Sequence, residues 1–99
     1  MAYVRISIVR PHRGQAERVE RLMRDLAESV GKHEGCIQSM LLKADDGTGE
    51  LARVAIYTDV HASAATANDT HIMSIRSELH LHIEPGHIER SFDTMWAKA

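Results

Sequence analysis

The stretch CIQSMLLKADDGTGELARVAIYT, residues 36–58, constrains the fold more than any other part of the chain. Two runs rich in apolar and β-branched residues, 36–43 and 51–58, flank DDGTGE at 45–50. Asp-Gly and a second glycine supply the positive φ that a tight reversal needs. Two such runs joined in this way form an antiparallel hairpin. The chain therefore contains a sheet, and the remaining segments have to be arranged around it.

Residues 3–10, YVRISIVR, alternate, with Val4, Ile6 and Ile8 on one face and Tyr3, Arg5 and Ser7 on the other. The second face also carries Val9, so both faces are expected to be covered. Pro11 and Gly14 end this strand. From 14 to 31 the apolar residues Ala16, Val19, Leu22, Met23, Leu26, Ala27 and Val30 make one helical stripe opposite a solvated charged face. Gly31 or Gly35 can supply a left-handed cap. After the hairpin, Asp59 caps the small-residue stretch VHASAATAN, and Asp69 or Thr70 caps HIMSIRSEL, which places Ile72, Ile75 and Leu79 together. Pro85 and Gly86 break the chain before a fourth strand at 87–94, and Trp96 in the tail is expected to dock.

This order is β-α-β-β-α-β, the ferredoxin-like plan of an α+β protein: a four-stranded antiparallel sheet with its helices on one face. At 99 residues the chain is expected to be one domain over 1–99. The open sheet face needs a cover, and the sheet of a second copy is the economical one, so a homodimer with sheet-to-sheet packing is expected. The net charge of −2, with basic and acidic residues interleaved, argues against nucleic acid as a partner. No apolar run reaches membrane-spanning length, and the alternating N-terminus is unlike a signal peptide. The single cysteine, Cys36, cannot form an internal disulfide or hold a thiolate zinc site alone, so the expected location is cytoplasmic.

Several short motifs in this order carry a resemblance. The strand end IVRP leads into an amphipathic helix, HEGC at 33–36 turns into strand two, and RVAIYTDV at 53–60 leads through Asp59 to the step Asp69-Thr70-His71. In this the chain resembles the antibiotic biosynthesis monooxygenase family of dimeric α+β barrels over nearly its whole length. HEGC is similar to that family's Glu-Pro-Gly-Cys turn, and Asp69-Thr70-His71 to its Ser-Pro-His step. The family often has a tryptophan where Tyr57 stands and a histidine where Thr66 stands. The haem-degrading branch of the superfamily needs a strand-one asparagine, absent here, and an iron-ligating histidine near the place of Arg76.

The resemblance implies oxygenation of a small aromatic, phenolic or quinol substrate with dioxygen, without flavin or metal, in a pocket between helices and sheet. Alternatives on the same scaffold are an isomerase or decarboxylase, a non-catalytic ligand-binding module, or a haem-degrading monooxygenase. Oxygenation without a cofactor needs an electron-rich substrate anion, exclusion of water and a base with a pKa near 7. His71, at the position of the family's histidine step, is the candidate base. Tyr57 can orient a substrate oxygen and Arg76 can stabilise a substrate anion; Ser7 and His80 are further candidates for the pocket wall. His80, His82 and His87 stand close together, but His-x-His plus a distant histidine is a weak metal signal. They read as a helix end, a Pro-Gly turn and a strand start, so no metal and no cofactor is expected.

Overall fold

The computed structural model describes residues 2–98. Strands β1 (Tyr3–Val9), β2 (Cys36–Lys43), β3 (Leu51–Tyr57) and β4 (Ile88–Asp93) form one sheet, in the order β2-β3-β1-β4. Every neighbouring pair is antiparallel. Helix α1 (Ala16–Gly31) connects β1 to β2, and α2 (Val60–Ala67) and α3 (Thr70–His80) connect β3 to β4. This is the ferredoxin-like α+β arrangement, with the second helical layer split in two.

The split follows from capping. Asp59 accepts the Ala62 N–H at 2.9 Å and starts α2. Asp69 accepts the N–H groups of His71 at 2.8 Å and Ile72 at 3.1 Å and starts α3. Each cap satisfies donors that have no partner inside their own helix. The end of α1 is less direct. Lys32 caps it in the right-handed conformation, and the positive φ falls later, at Gly35 (+87°). A β-carbon on Gly35 would lie 2.6 Å from the Ala62 side chain, so only glycine lets the α1–β2 turn pass against α2.

The core lies between the helices and one face of the sheet. Val19, Met23, Leu26 and Val30 of α1 meet Ile72, Ile75 and Leu79 of α3 over Val9, Leu51, Ala55 and Tyr57. The helix-facing residues of β1 are therefore Tyr3, Arg5, Ser7 and Val9, and Val4, Ile6 and Ile8 face away from the helices. The outer face is continued by Val54 and Ile56 of β3, Met40 and Leu42 of β2, and Ile88 and Phe92 of β4. None of the described residues covers it; Leu42, Ile88 and Phe92 are exposed.

Trp96 does not dock as expected. It is 81% exposed, and Met95 beside it is 93% exposed. The last backbone tie before them among the described residues is the Thr94 N–H to the Ala2 carbonyl, 2.9 Å.

Candidate active site

Three cross-strand rows set the polar side chains of the helix-facing sheet surface. Arg53 of β3, Ser7 of β1 and Glu89 of β4 are direct partners in one row. Ala55, Arg5 and Ser91 form the next, and Tyr57, Tyr3 and Asp93 the third. Side chains alternate across a strand, so all of these point toward the helices. Arg76 of α3 comes down onto the rows from above.

Glu89 is the hub of the ion pairs. Its two carboxylate oxygens each accept from Arg76 at 3.3 Å, Arg5 lies 3.7 Å away, and Ser7 donates to it at 3.3 Å. Arg5 also donates to the Ser91 hydroxyl at 3.0 Å. Arg53 has no share in this. It is 6% exposed, and among the described residues its Nε and Nη1 have no hydrogen-bond partner. Burial pulls its pKa below the ordinary arginine value, opposed by the nearby Tyr57 and Glu89.

A cavity of about 240 Å³ lies against these groups, between sheet and helices. Tyr3, Arg5, Arg53 and Tyr57 line its floor, Val30, Ile72 and Arg76 one side, and Val60, Ser63 and Thr66 of the α2 region the other. Tyr57 is 3% exposed, and burial raises its phenol pKa, with Arg53 pulling it partly back. The hydroxyl therefore stays protonated at neutral pH and is a hydrogen-bond donor. Thr66 is buried as well, its hydroxyl donating to the Ala62 carbonyl at 2.9 Å. A shallower depression of about 450 Å³ at the sheet edge, between α1 and β2, brings no comparable group of buried charges together.

The candidate residues named from the sequence fall in three places. Tyr57 and Arg76 line the cavity. Ser7 and His80 line a narrow void of about 10 Å³ behind it, which shares Arg53 and Arg76 with the cavity. His71 is exposed on the first turn of α3 and lines a separate surface depression with His33 and Asp69; of the cavity's lining, only Ile72 borders both. There the His33 ring nitrogen meets the Asp69 carboxylate at 2.8 Å and ties the α1–β2 turn to the α3 cap.

His80 closes α3. Its Nδ1–H donates to the Arg76 carbonyl at 2.6 Å, which leaves Nε2 to accept from His87 Nε2 at 3.4 Å. His82 belongs elsewhere: its Nε2 meets Glu78 at 3.3 Å, and its carbonyl accepts the His12 N–H at 2.9 Å. Among the described residues no three of His, Cys, Asp or Glu converge as a metal-ligand set. Cys36 keeps its thiol proton, because burial raises its pKa.

Two residues of the site, Arg53 and Glu89, were not picked out by sequence reasoning. The available signal for Arg53 was its period-two spacing with Leu51, Ala55 and Tyr57, which assigns it to their buried face.

No helix of the described residues is long and apolar enough to cross a membrane. Among solved structures, the chain is similar to Rv0793 from Mycobacterium tuberculosis, with a TM-score of 0.91, 14% identity and all of each chain covered. It is similar to a putative antibiotic biosynthesis monooxygenase from Nitrosomonas europaea, with a TM-score of 0.88, 14% identity, 99% of this chain and 94% of that one covered. SnoaB, a cofactor-independent oxygenase from Streptomyces nogalater, superposes with a TM-score of 0.84 at 14% identity, covering 97% of this chain and 95% of that one. No curated protein matches the sequence at a significant level. At such identities the superpositions establish the shared fold. Residues 1–72 match the family model for antibiotic biosynthesis monooxygenase, from β1 through the first turn of α3, and the chain belongs to the antibiotic biosynthesis monooxygenase family.

Proposed function

We infer that the chain is a cofactor-independent monooxygenase acting with dioxygen on a small phenolic or quinol substrate in the 240 Å³ cavity. The observation that carries this reading is the positive lining of the cavity: Arg5, Arg53 and Arg76 border it and no carboxylate of the described residues does, Glu89 lying at the void behind. Family membership and the likeness to SnoaB support it. A phenol bound there loses its proton more readily, because the guanidinium groups favour the anion. The protonated Tyr57 hydroxyl, which lies beside the Thr66 hydroxyl, would turn from it to donate to the developing oxyanion.

The electron-rich ring carbon of such an anion can reduce dioxygen and bond to it. A phenol with a free para position then gives a ring peroxide that loses water to form a quinone. One oxygen atom becomes the new carbonyl and the other leaves as water. The substrate supplies all four electrons, so no external reductant enters the balance. Val30 and Ile72 give the reactive anion apolar walls on one side.

The reading includes a homodimer. The uncovered outer face, with Ile6, Ile56 and Phe92, joins the exposed Met95 and Trp96 in asking for an apolar cover. An exposed apolar surface of this extent is a mark of an interaction site.

The direct test is dioxygen uptake with a panel of one- and two-ring phenols, naphthols and quinols in chelator-treated buffer. Stoichiometric uptake with quinone formation is expected. Binding of panel members without uptake under any condition would replace the oxygenase with a ligand-binding module.

A further inference from the structure

We propose that the cavity takes an aromatic carboxylic acid of one or two rings, and that Arg53 is the residue that holds its carboxylate. The binding half of this stands on geometry alone; that the bound acid is the compound oxygenated rests on the function inferred above.

The reasoning starts from a charge without a partner. Arg53 sits mid-strand on β3, a central strand, 6% exposed, with both Nε and Nη1 buried and unpaired among the described residues. Buried guanidinium groups are ordinarily matched by acceptors, because desolvating the charge alone is costly. The nearest carboxylate cannot serve, since Glu89 is held by Arg76, Arg5 and Ser7. Three cations against Glu89 and the more distant, exposed Asp93 leave the surface about one charge positive. Nε and Nη1 are closed off, so Arg53 meets the cavity through Nη2, an N–H donor that calls for an acceptor. An anion also offsets the excess charge, which a neutral carbonyl does not.

Size and lining narrow the class. The cavity of about 240 Å³ lies below the roughly 300–1,000 Å³ of pockets for drug-sized ligands. Besides the arginines it presents apolar or aromatic walls at Tyr3, Val30 and Ile72. A bare inorganic anion would leave those walls unfilled, and a polycyclic skeleton would not fit. A flat ring bearing a carboxylate fills both halves, with the ring against the apolar walls and the carboxylate accepting a charge-assisted hydrogen bond from Arg53.

The test is isothermal titration of 1-naphthoate, its neutral isostere 1-naphthamide and inorganic phosphate. The expected result is at least about tenfold tighter binding of naphthoate than of naphthamide, with phosphate a poor competitor. In Arg53→Met, which keeps the stem and removes the charge, the preference should fall to within about twofold. The unliganded variant should melt at a higher temperature than the parent, since an unpaired buried charge has gone. Naphthoate should raise the melting temperature of the parent only. Equal affinities for naphthoate and naphthamide would overturn the proposal, as would a preference that survives in Arg53→Met or phosphate displacing naphthoate at equal concentration. Should Arg53→Met fail to fold, the parent's naphthoate-to-naphthamide ratio decides alone. Tight naphthoate binding without dioxygen uptake on hydroxynaphthoates sinks the oxygenase and leaves the acid site. Uptake on phenols with no preference for the acid does the reverse.

Discussion

The two faces of the sheet are built against the usual rule. The face under the helices carries the core residues Val9, Leu51, Ala55 and Tyr57, yet it also buries Ser7 and Arg53, with Arg5 and the exposed Glu89 and Ser91 beside them. The face turned to solvent carries Val4, Ile6, Ile8, Val54 and Ile56, yet none of the described residues covers it. In a two-layer protein working alone, the apolar residues would lie under the helices. On the function inferred above, the apolar outer face would meet a second apolar surface, and the polar residues of the covered face a ligand with charge.

The largest way to break this contrast is on the outer face. Ile6 is in the middle of β1, flanked by Val54 on one side and Arg90 on the other. Ile6→Asp places a charge at the centre of the inferred sheet-to-sheet contact and should remove assembly altogether. Sedimentation should show the parent at twice the chain's 11.1 kDa and the variant at 11.1 kDa. A parent that already sediments as the single chain at micromolar concentration would end the homodimer inference.

On the covered face the matching change is Tyr57→Phe. It removes one hydroxyl from a 3%-exposed side chain and keeps the ring that packs with Ala55 and Ile72. The expected outcome is a fall in kcat of about tenfold or more, from the loss of a donor aimed at developing charge. The urea midpoint should move by less than the equivalent of about 1.5 kcal/mol. A kcat within twofold of the parent would take Tyr57 out of the chemistry.

Much of the layout beneath this contrast was legible in advance. The stripe Ile72, Ile75 and Leu79, the caps at Asp59 and Asp69 and the hairpin at 45–50 depend on residues within a turn or two of each other, and local chemistry settles them. The side of β1 that meets the helices was not legible. Val4, Ile6 and Ile8 look like a core face, and only the pairing of Ser7 with Arg53 and Glu89 shows that the polar set goes inward. Those partners lie 46 and 82 positions away in the chain. The row across the sheet exists once the register does, and no period within one strand contains it.

The next prediction concerns how α3 is set above the polar face. Asp69 starts this helix, and its carboxyl is held below the usual aspartate range, chiefly by the Ile72 N–H and then by the His33 side chain. Its folded pKa is thus lower than its unfolded one, so the unfolded chain binds more protons as pH falls. The stabilisation is whole above about pH 4 and is lost as pH falls through the folded value. Asp69→Asn keeps a capping oxygen but cannot titrate. Between about pH 5 and about pH 2 the parent's urea midpoint should fall more steeply than the variant's. Parallel slopes would show that Asp69 keeps its ordinary pKa.

The smallest expected effect is at His71, and it tests the contrast most directly. A general base within reach of substrate contributes about 10²–10⁴ in rate. His71 is exposed, starts α3 beside the Asp69 cap and faces a depression bounded by Ser29, His33 and Glu34, outside the cavity that holds Tyr57 and the arginines. If the positive field of Arg5, Arg53 and Arg76 favours the substrate anion, the proton can leave to water and no histidine is required. His71→Ala should then change kcat/KM by less than about threefold, with the pH profile unmoved. A loss of about a hundredfold or more would place the proton acceptor at the α3 N-terminus. The polar face of the sheet would then bind the substrate while the chemistry happened at its edge, where the His33–Asp69 pair would be the group to examine next.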